Sequence, residues 1–372
     1  MTLGDFVTLQ RGHDLPESKR RLGNVPVIGS FGITGYHDIA KAKGPGVTIG
    51  RSGASFGVVS YSPVNYWPHN AALYVTDFHG NDERFSYYFL KSIDFKNYNS
   101  GSAQPSLNRN YIYPIEIKVP PLPIQRKIAA ILSAYDRLIE NNTRRIEILE
   151  EMARSIYREW FVKFRFPGHE QVQMVDSELG LIPEGWEVVC LGKLASFQTG
   201  KLNSNAAKPN GVYPFFTCSQ EIFRTDTYSF DTECVLLAGN NANGVFHIKY
   251  FKGKFDAYQR TYVIRSLNQH KVTNYYLYFA IKAQLEHLKS ISTGSATKFL
   301  TLTILNNLNI IVSLPEIQDK FAKFIFVVFS EIELLQAKNA NLRKTRDLLL
   351  PRLISGEIDV ENLDINTGEI AA

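Results

Sequence analysis

Ile128, Tyr135, Asn142, Leu149 and Ile156 stand seven residues apart, and a shift of 193 carries the row onto Phe321, Val328, Leu335, Leu342 and Leu349. Rows of this period mark long helices with one continuous stripe. A helix of about forty residues, roughly 60 Å long, cannot hide such a stripe alone. Leu132, Ile139, Ile146, Ala153 and Trp160 widen the first stripe on one side. Ile131, Leu138 and Met152 share the other neighbouring position, where Arg145 and Glu159 interrupt the row. Two solutions follow. Either the segments pair as an antiparallel coiled coil, since a whole globule of chain separates them, or each packs on its own globule. Asn142 inside the row either fixes register or faces solvent. Pro123 suits the opening turn of the first helix, and Pro167-Gly168 its stop.

The stripes belong to a larger duplication, the feature that decides architecture ahead of any local motif. At a shift of 188, Leu3-Gly4 falls on Leu191-Gly192, Gly12 on Gly200, Pro26 on Pro214 and Tyr87-Tyr88 on Tyr275-Tyr276. At 193, Gly101-Ser102-Ala103 falls on Gly294-Ser295-Ala296, and Ile124-Gln125 on Ile317-Gln318. Ahead of each helix, short β-like runs such as VPVIGS and CVLLAG alternate with Gly, Pro and Asn turns, with helices near FSYYFLKSI and NYYLYFAIKAQLEHLKSI. The expected fold class is therefore mixed α/β, with two globules, two long helices and a pseudo-two-fold internal repeat. The segments are 1–120, the first globule; 121–165, the central helix; 166–312, linker and second globule; 313–357, the C-terminal helix; and 358–372, an acidic tail expected to extend loosely.

The formal charge of +5 understates the folded body. Glu357, Asp359, Glu361, Asp364 and Glu369 carry five acids in a tail without a base, so the remainder is five charges more basic. That balance favours a polyanion, nucleic acid first. No run of eighteen apolar residues suits a membrane, and MTLGDFVTLQRG does not read as a secretory signal. Cys190, Cys218 and Cys234 form neither a disulfide framework nor a metal knuckle, so a reducing cytoplasm is expected. GASFG at 53–57 satisfies the nucleophile-elbow pattern around Ser55, but a β-like segment follows where that motif needs a helix. The matching loop GNNANG lacks a serine, so a glycine hairpin explains both copies. GPGVTIGRS has the wrong glycine spacing for a phosphate loop. No metal-ligand, methyltransferase or nuclease string stands out, and no metal site or catalytic residue is expected.

The strings GSAQPSLN, PPLPIQRKIAAILSAYDRLIENN, LIPEGWEVVCLGKLASFQTGK, LPEIQDKF and LLLPRLISGEI resemble the specificity subunits of type I restriction–modification systems across nearly the whole chain. One departure is the missing GW-type phrase before Leu3-Gly4, which leaves either a shortened first strand or an uncertain start codon. The resemblance implies two target-recognition domains, each reading half of a bipartite double-stranded DNA site. It implies that the paired helices act as a ruler and dock two modification subunits. Those partners bind S-adenosylmethionine, and restriction subunits use ATP and Mg; this chain is expected to hold no cofactor. A free-standing two-headed DNA-binding or scaffold protein is the alternative.

Base reading needs side chains that reach groove edges, and phosphate contacts need cations or amides. In the first globule the candidates are Tyr36, His37, Arg51, Ser52, Gln104, Asn108 and Arg109. In the second they are Asn240, Asn241, Asn243, Lys249, Lys252, Lys254, Gln259, Arg260 and Lys298. The loops GRSGASFG and AGNNANG either bring backbone close to DNA or simply turn between strands.

Overall fold

The computed structural model describes residues 1–101, 105–242 and 244–367. Two compact units emerge, Met1–Arg144 with Leu335–Ala372, and Arg145–Leu334. Each contains one globule and a stretch of both long helices.

In the first unit a sheet runs, in spatial order, Thr8–Arg11, Ala72–Asp77, Gly46–Gly50 and Val59–Ser62, with antiparallel neighbours throughout. GVTIG is buried along its whole length, which suits an inner strand. Glu83–Ser92 forms the helix that covers this sheet, and Asp82 starts it by accepting the Phe85 N–H. Its Phe85, Tyr88 and Phe89 pack with Leu3, Phe6, Val47 and Ile49. A smaller sheet sets Val25–Gly29 between Gly32–His37 and Trp67–Pro68.

The second unit repeats this order and extends it: Ala195–Thr199, Thr261–Ser266, Phe230–Ala238, Ile248–Ala257, Tyr213–Phe216, Ile222–Thr225. The repeated glycines have a steric reason. A Cβ on Gly12 would lie 2.2 Å from the His69 oxygen, and one on Gly200 would lie 1.8 Å from the Ala257 oxygen. The covering helix is Asn274–Ala283. It breaks at Gln284 (φ −103°, ψ 10°) before Leu285–Ile291, where the sequence suggests one continuous helix. The opening strand Glu187–Cys190 pairs with Asn309–Val312, whereas in the first unit only a single bridge, Thr2 to Glu116, stands at that place.

The long helices are Leu122–Tyr157, closed by a π-turn at Arg158–Val162, and Pro315–Ile354. Within the first unit, Asp136 pairs with Arg346 at 2.5 Å and the Asn142 amide donates to Asn339 Oδ1 at 2.9 Å. Within the second, Arg145 meets Glu331 at 3.0 Å, and the Phe161 and Phe321 rings are 4.9 Å apart. Ascending numbers meet descending ones in each unit, so the pairing is antiparallel. Each helix also packs on a globule: Ile128 and Leu132 join the first core, and Phe321, Ile325 and Val328 join the second. Both solutions that the stripes allowed therefore operate together. Asn142, itself half-buried, links its amide to the buried Asn339 across the helix pair.

The heptad row lies inside, with Ile128, Phe321, Val328 and Leu335 buried and Tyr135, Asn142, Leu149, Ile156, Leu342 and Leu349 half-buried. One flank differs from expectation. Leu138 is 53% and Met152 44% exposed, while Leu132, Ile139 and Ala153 are buried. The tail differs too. Val360 is buried, and Lys127 Nζ donates to the Glu361 and Leu363 oxygens, which fastens residues 358–363 to the start of the first long helix.

Candidate nucleic-acid interface

In both globules the glycine loop is tied to the stretch just after the repeated GSA string (the GSA segment, residues 105–107 and 298–300). The Arg51 oxygen accepts from the Leu107 N–H at 2.7 Å, the Gly53 N–H donates to the Pro105 oxygen at 3.1 Å, and Ser52 bridges Ser106. In the second globule Asn240 and Asn241 pair antiparallel with Phe299 and Lys298. The Leu300 N–H donates to the Gly239 oxygen at 2.9 Å. Inner-strand end, glycine loop and GSA segment thus form one surface in each copy. GASFG lies between the antiparallel strands Gly46–Gly50 and Val59–Ser62, with Gly53 and Gly57 at φ near +80°, so its serine sits in a hairpin and not at a strand-to-helix turn.

The second globule gathers more of its candidates. Thr217, Cys218, Ser219, Asn240, Asn241, His247 and Tyr258 line a cleft of about 880 Å³. Lys249 Nζ donates to the Ser219 oxygen at 2.7 Å, and the Cys218 thiol donates to Asn240 Oδ1 at 3.0 Å. Holding that oxygen turns the Asn240 amide nitrogen toward other partners. The Arg260 guanidinium lies 5.3 Å above the Phe299 ring, beside Lys298 on the adjoining strand. Desolvation lowers the Lys249 pKa, and desolvation together with Lys249 lowers that of His247. The cleft therefore offers a neutral imidazole, amides and hydroxyls, bordered by cations. Such a set matches base edges next to phosphates.

Other candidates lie apart. Strand alternation places Lys252 and Lys254 on the face opposite Lys249, with the Lys254 ammonium 4.8 Å over the Tyr228 ring. Gln259 is exposed in the turn before Arg260, where its N–H donates to the Leu202 oxygen. In the first globule Tyr36 is exposed on its strand. His37 is only 4% exposed; its Nδ1 accepts the Arg21 N–H and its ring meets Trp67 edge-on. That ring is buried against Trp67 and serves the fold. Asn108 caps the turn Arg109–Ile112, and the Arg109 guanidinium donates to the Leu9 oxygen at 2.7 Å. Both are occupied in positioning the loop. Gln104 and Asn243 lie outside the described residues. Sequence reasoning missed Thr217, Cys218, Ser219 and His247. For the first three the signal was the offset of 188, which sets TCSQE after YPFF where the first half has GSFGI after VPVI.

This chain belongs to a family described as the type I restriction modification DNA specificity domain, whose profile matches residues 1–151 and 183–344. Among curated relatives, the EcoDI specificity subunit of Escherichia coli is 32% identical over 186 residues, 49% of this chain and 40% of that one. The MjaIX specificity subunit of Methanocaldococcus jannaschii is 28% identical over 307 residues, 75% of this chain and 70% of that one. The fold also matches the crystal structure of a type I restriction–modification S subunit from M. genitalium, with TM-score 0.62, 18% identity and 95% of both chains covered. No helix among the described residues is long and apolar enough to cross a membrane.

Proposed function

We propose that this chain is the non-catalytic specificity subunit of a type I restriction–modification enzyme. It reads a bipartite, asymmetric site on double-stranded DNA, one half with each globule. The observation that carries this is the duplicated junction: one scaffold presents its glycine loop and GSA segment twice, with Arg51-Ser52 in one copy and Asn240-Asn241 in the other. A common scaffold with unlike reading side chains is what a non-palindromic target requires. Two modification subunits dock on the helices and bring S-adenosylmethionine; restriction subunits bring ATP and Mg; this chain binds none of these. Exposed apolar side chains on the helices support docking. They are Leu138 and Leu348 in the first unit, and Ile148, Met152, Phe326, Val327 and Leu334 in the second.

The test is a map of methylated adenines in the native host with and without this gene, paired with purification of a tagged chain. One two-part motif loses methylation on deletion, and modification subunits co-purify. A chain that binds DNA tightly alone and captures no such subunit overturns the proposal.

A further inference from the structure

Ser30 and Phe31 form the two-residue tip of the hairpin between Val25–Gly29 and Gly32–His37. Phe31 is 66% exposed, and Ile33 and Tyr36 on the same hairpin are exposed as well. The tip abuts the glycine loop: a Cβ on Gly50 would lie 2.2 Å from the Ser30 oxygen, immediately before Arg51. A basic run lies along the same hairpin. Away from the tip, the Arg20 guanidinium donates to the Thr34 oxygen at 2.8 Å, and the Arg21 guanidinium pairs with Asp38 at 2.8 Å. An apolar point against the loop that carries Arg51, with Arg20 farther along its hairpin, fits an occupant with negative rails and a stacked apolar interior, namely duplex DNA.

The same place in the second globule is built otherwise. At the offset of 188, Phe31 falls on Ser219, in the polar loop that walls the cleft and is held by Lys249. One globule is convex and apolar where the other is concave and polar.

We propose that the two globules read DNA by different physics: Phe31 enters as a wedge between adjacent base pairs of one half-site and reads how easily that step unstacks, while the second globule reads base edges directly. The wedge rests on the function proposed above. Flexible pyrimidine–purine steps accept such side chains most readily, so the Phe31 half-site contains one.

The experiment uses the chain in complex with its modification subunits, on duplexes carrying the motif from the methylation map. 2-Aminopurine is placed at successive positions of both halves. With the unmodified complex, and leaving out the target adenine that a methyltransferase flips out in each half, fluorescence rises at one step of one half only. Phe31→Ser abolishes the rise and weakens binding about tenfold, while Phe31→Leu, still an apolar wedge, keeps most of both. An unchanged thermal midpoint shows that the variants fold, as expected for an exposed side chain. A rise that persists in Phe31→Ser overturns the wedge. Loss of modification subunits from Phe31→Ser without DNA also overturns it, by making Phe31 a protein contact. If the unmodified complex prefers the motif duplex over a scrambled one no better than Phe31→Ser does and shows no rise, the wedge fails while the methylation map still stands or falls by itself.

Discussion

Gln125 and Gln318 occupy the same position of the repeated LPxIQ junction, yet their surroundings are opposite. Gln125 is buried and fully engaged: its Nε2 donates to Asn81 Oδ1 and the Pro120 oxygen, and its Oε1 accepts the Asp82 N–H. It ties the start of the long helix to the cap of the covering helix. Gln318 is 0% exposed, and neither of its amide atoms has a partner among the described residues. The covering helix of the second globule is capped by Thr273 and has no asparagine at the equivalent approach. Gln125→Met strands buried donors and acceptors and is expected to cost about 2–3 kcal/mol; Gln318→Met is expected to be neutral or to stabilise by about 1 kcal/mol. Denaturant melts of the two variants compare them directly. Equal losses would mean that Gln318 is satisfied after all. Cysteine reactivity gives a second test. Burial pushes the Cys234 thiol up to about 12, so in the folded chain it resists alkylation at pH 8. Cys218, at the cleft, labels faster and is shielded by cognate DNA. Shielding of Cys190 in place of Cys218 would put DNA elsewhere.

At the scale of elements, the long helices carry a polar layer in the first unit. Asn142 and Asn339 join amide to amide, and Asn339 Nδ2 also reaches the Ile139 oxygen and Thr143 Oγ1. A single Asn339→Leu leaves the Asn142 amide unpaired and is expected to cost about 1–3 kcal/mol. Replacing both by leucine restores or exceeds the original stability while loosening the choice of register. A double-mutant cycle in urea measures the coupling; additive losses would show that the two amides do not act as a pair. The heptad row was legible because a period of seven survives any sequence change that keeps the stripe. Of the two flanking rows read from the sequence, Leu132, Ile139 and Ala153 are buried while Leu138 and Met152 are not, because a straight helix drifts about 20° per heptad. Each helix also serves a globule as well as its partner, which turns the stripe toward Leu132, Ile139 and Ala153. The docking of the GSA segments on the glycine loops was likewise hidden. It depends on backbone pairings across some fifty residues, such as Ser52 with Ser106 and Asn241 with Lys298, in which the side chains play little part. His37 illustrates the limit for single residues: nothing local says that the histidine of GYHD will meet Trp67.

Across the whole molecule, one plan is used twice with unlike surfaces, and that has a consequence for how errors in reading should distribute. If each globule reads its own half, damage to one must leave the other half of the motif intact. Asn240→Ala with Arg260→Ala removes an amide at the cleft and a cation beside it, without touching a core. Arg51→Ala removes a cation from the other surface, where the Arg51 backbone, and not its side chain, holds the Leu107 N–H. Methylation maps from cells carrying each variant are expected to show relaxed bases in one half of the motif only, and a different half for each. The double variant should also lower the salt slope of binding by about one for the lost arginine, as should Arg51→Ala, if these cations meet phosphate. Cognate binding that weakens evenly over both halves, with no base relaxed, would assign these side chains to phosphate contact alone. Relaxation in both halves from either variant would mean that the globules do not read independently, and the duplicated scaffold would then have to act as a single reader.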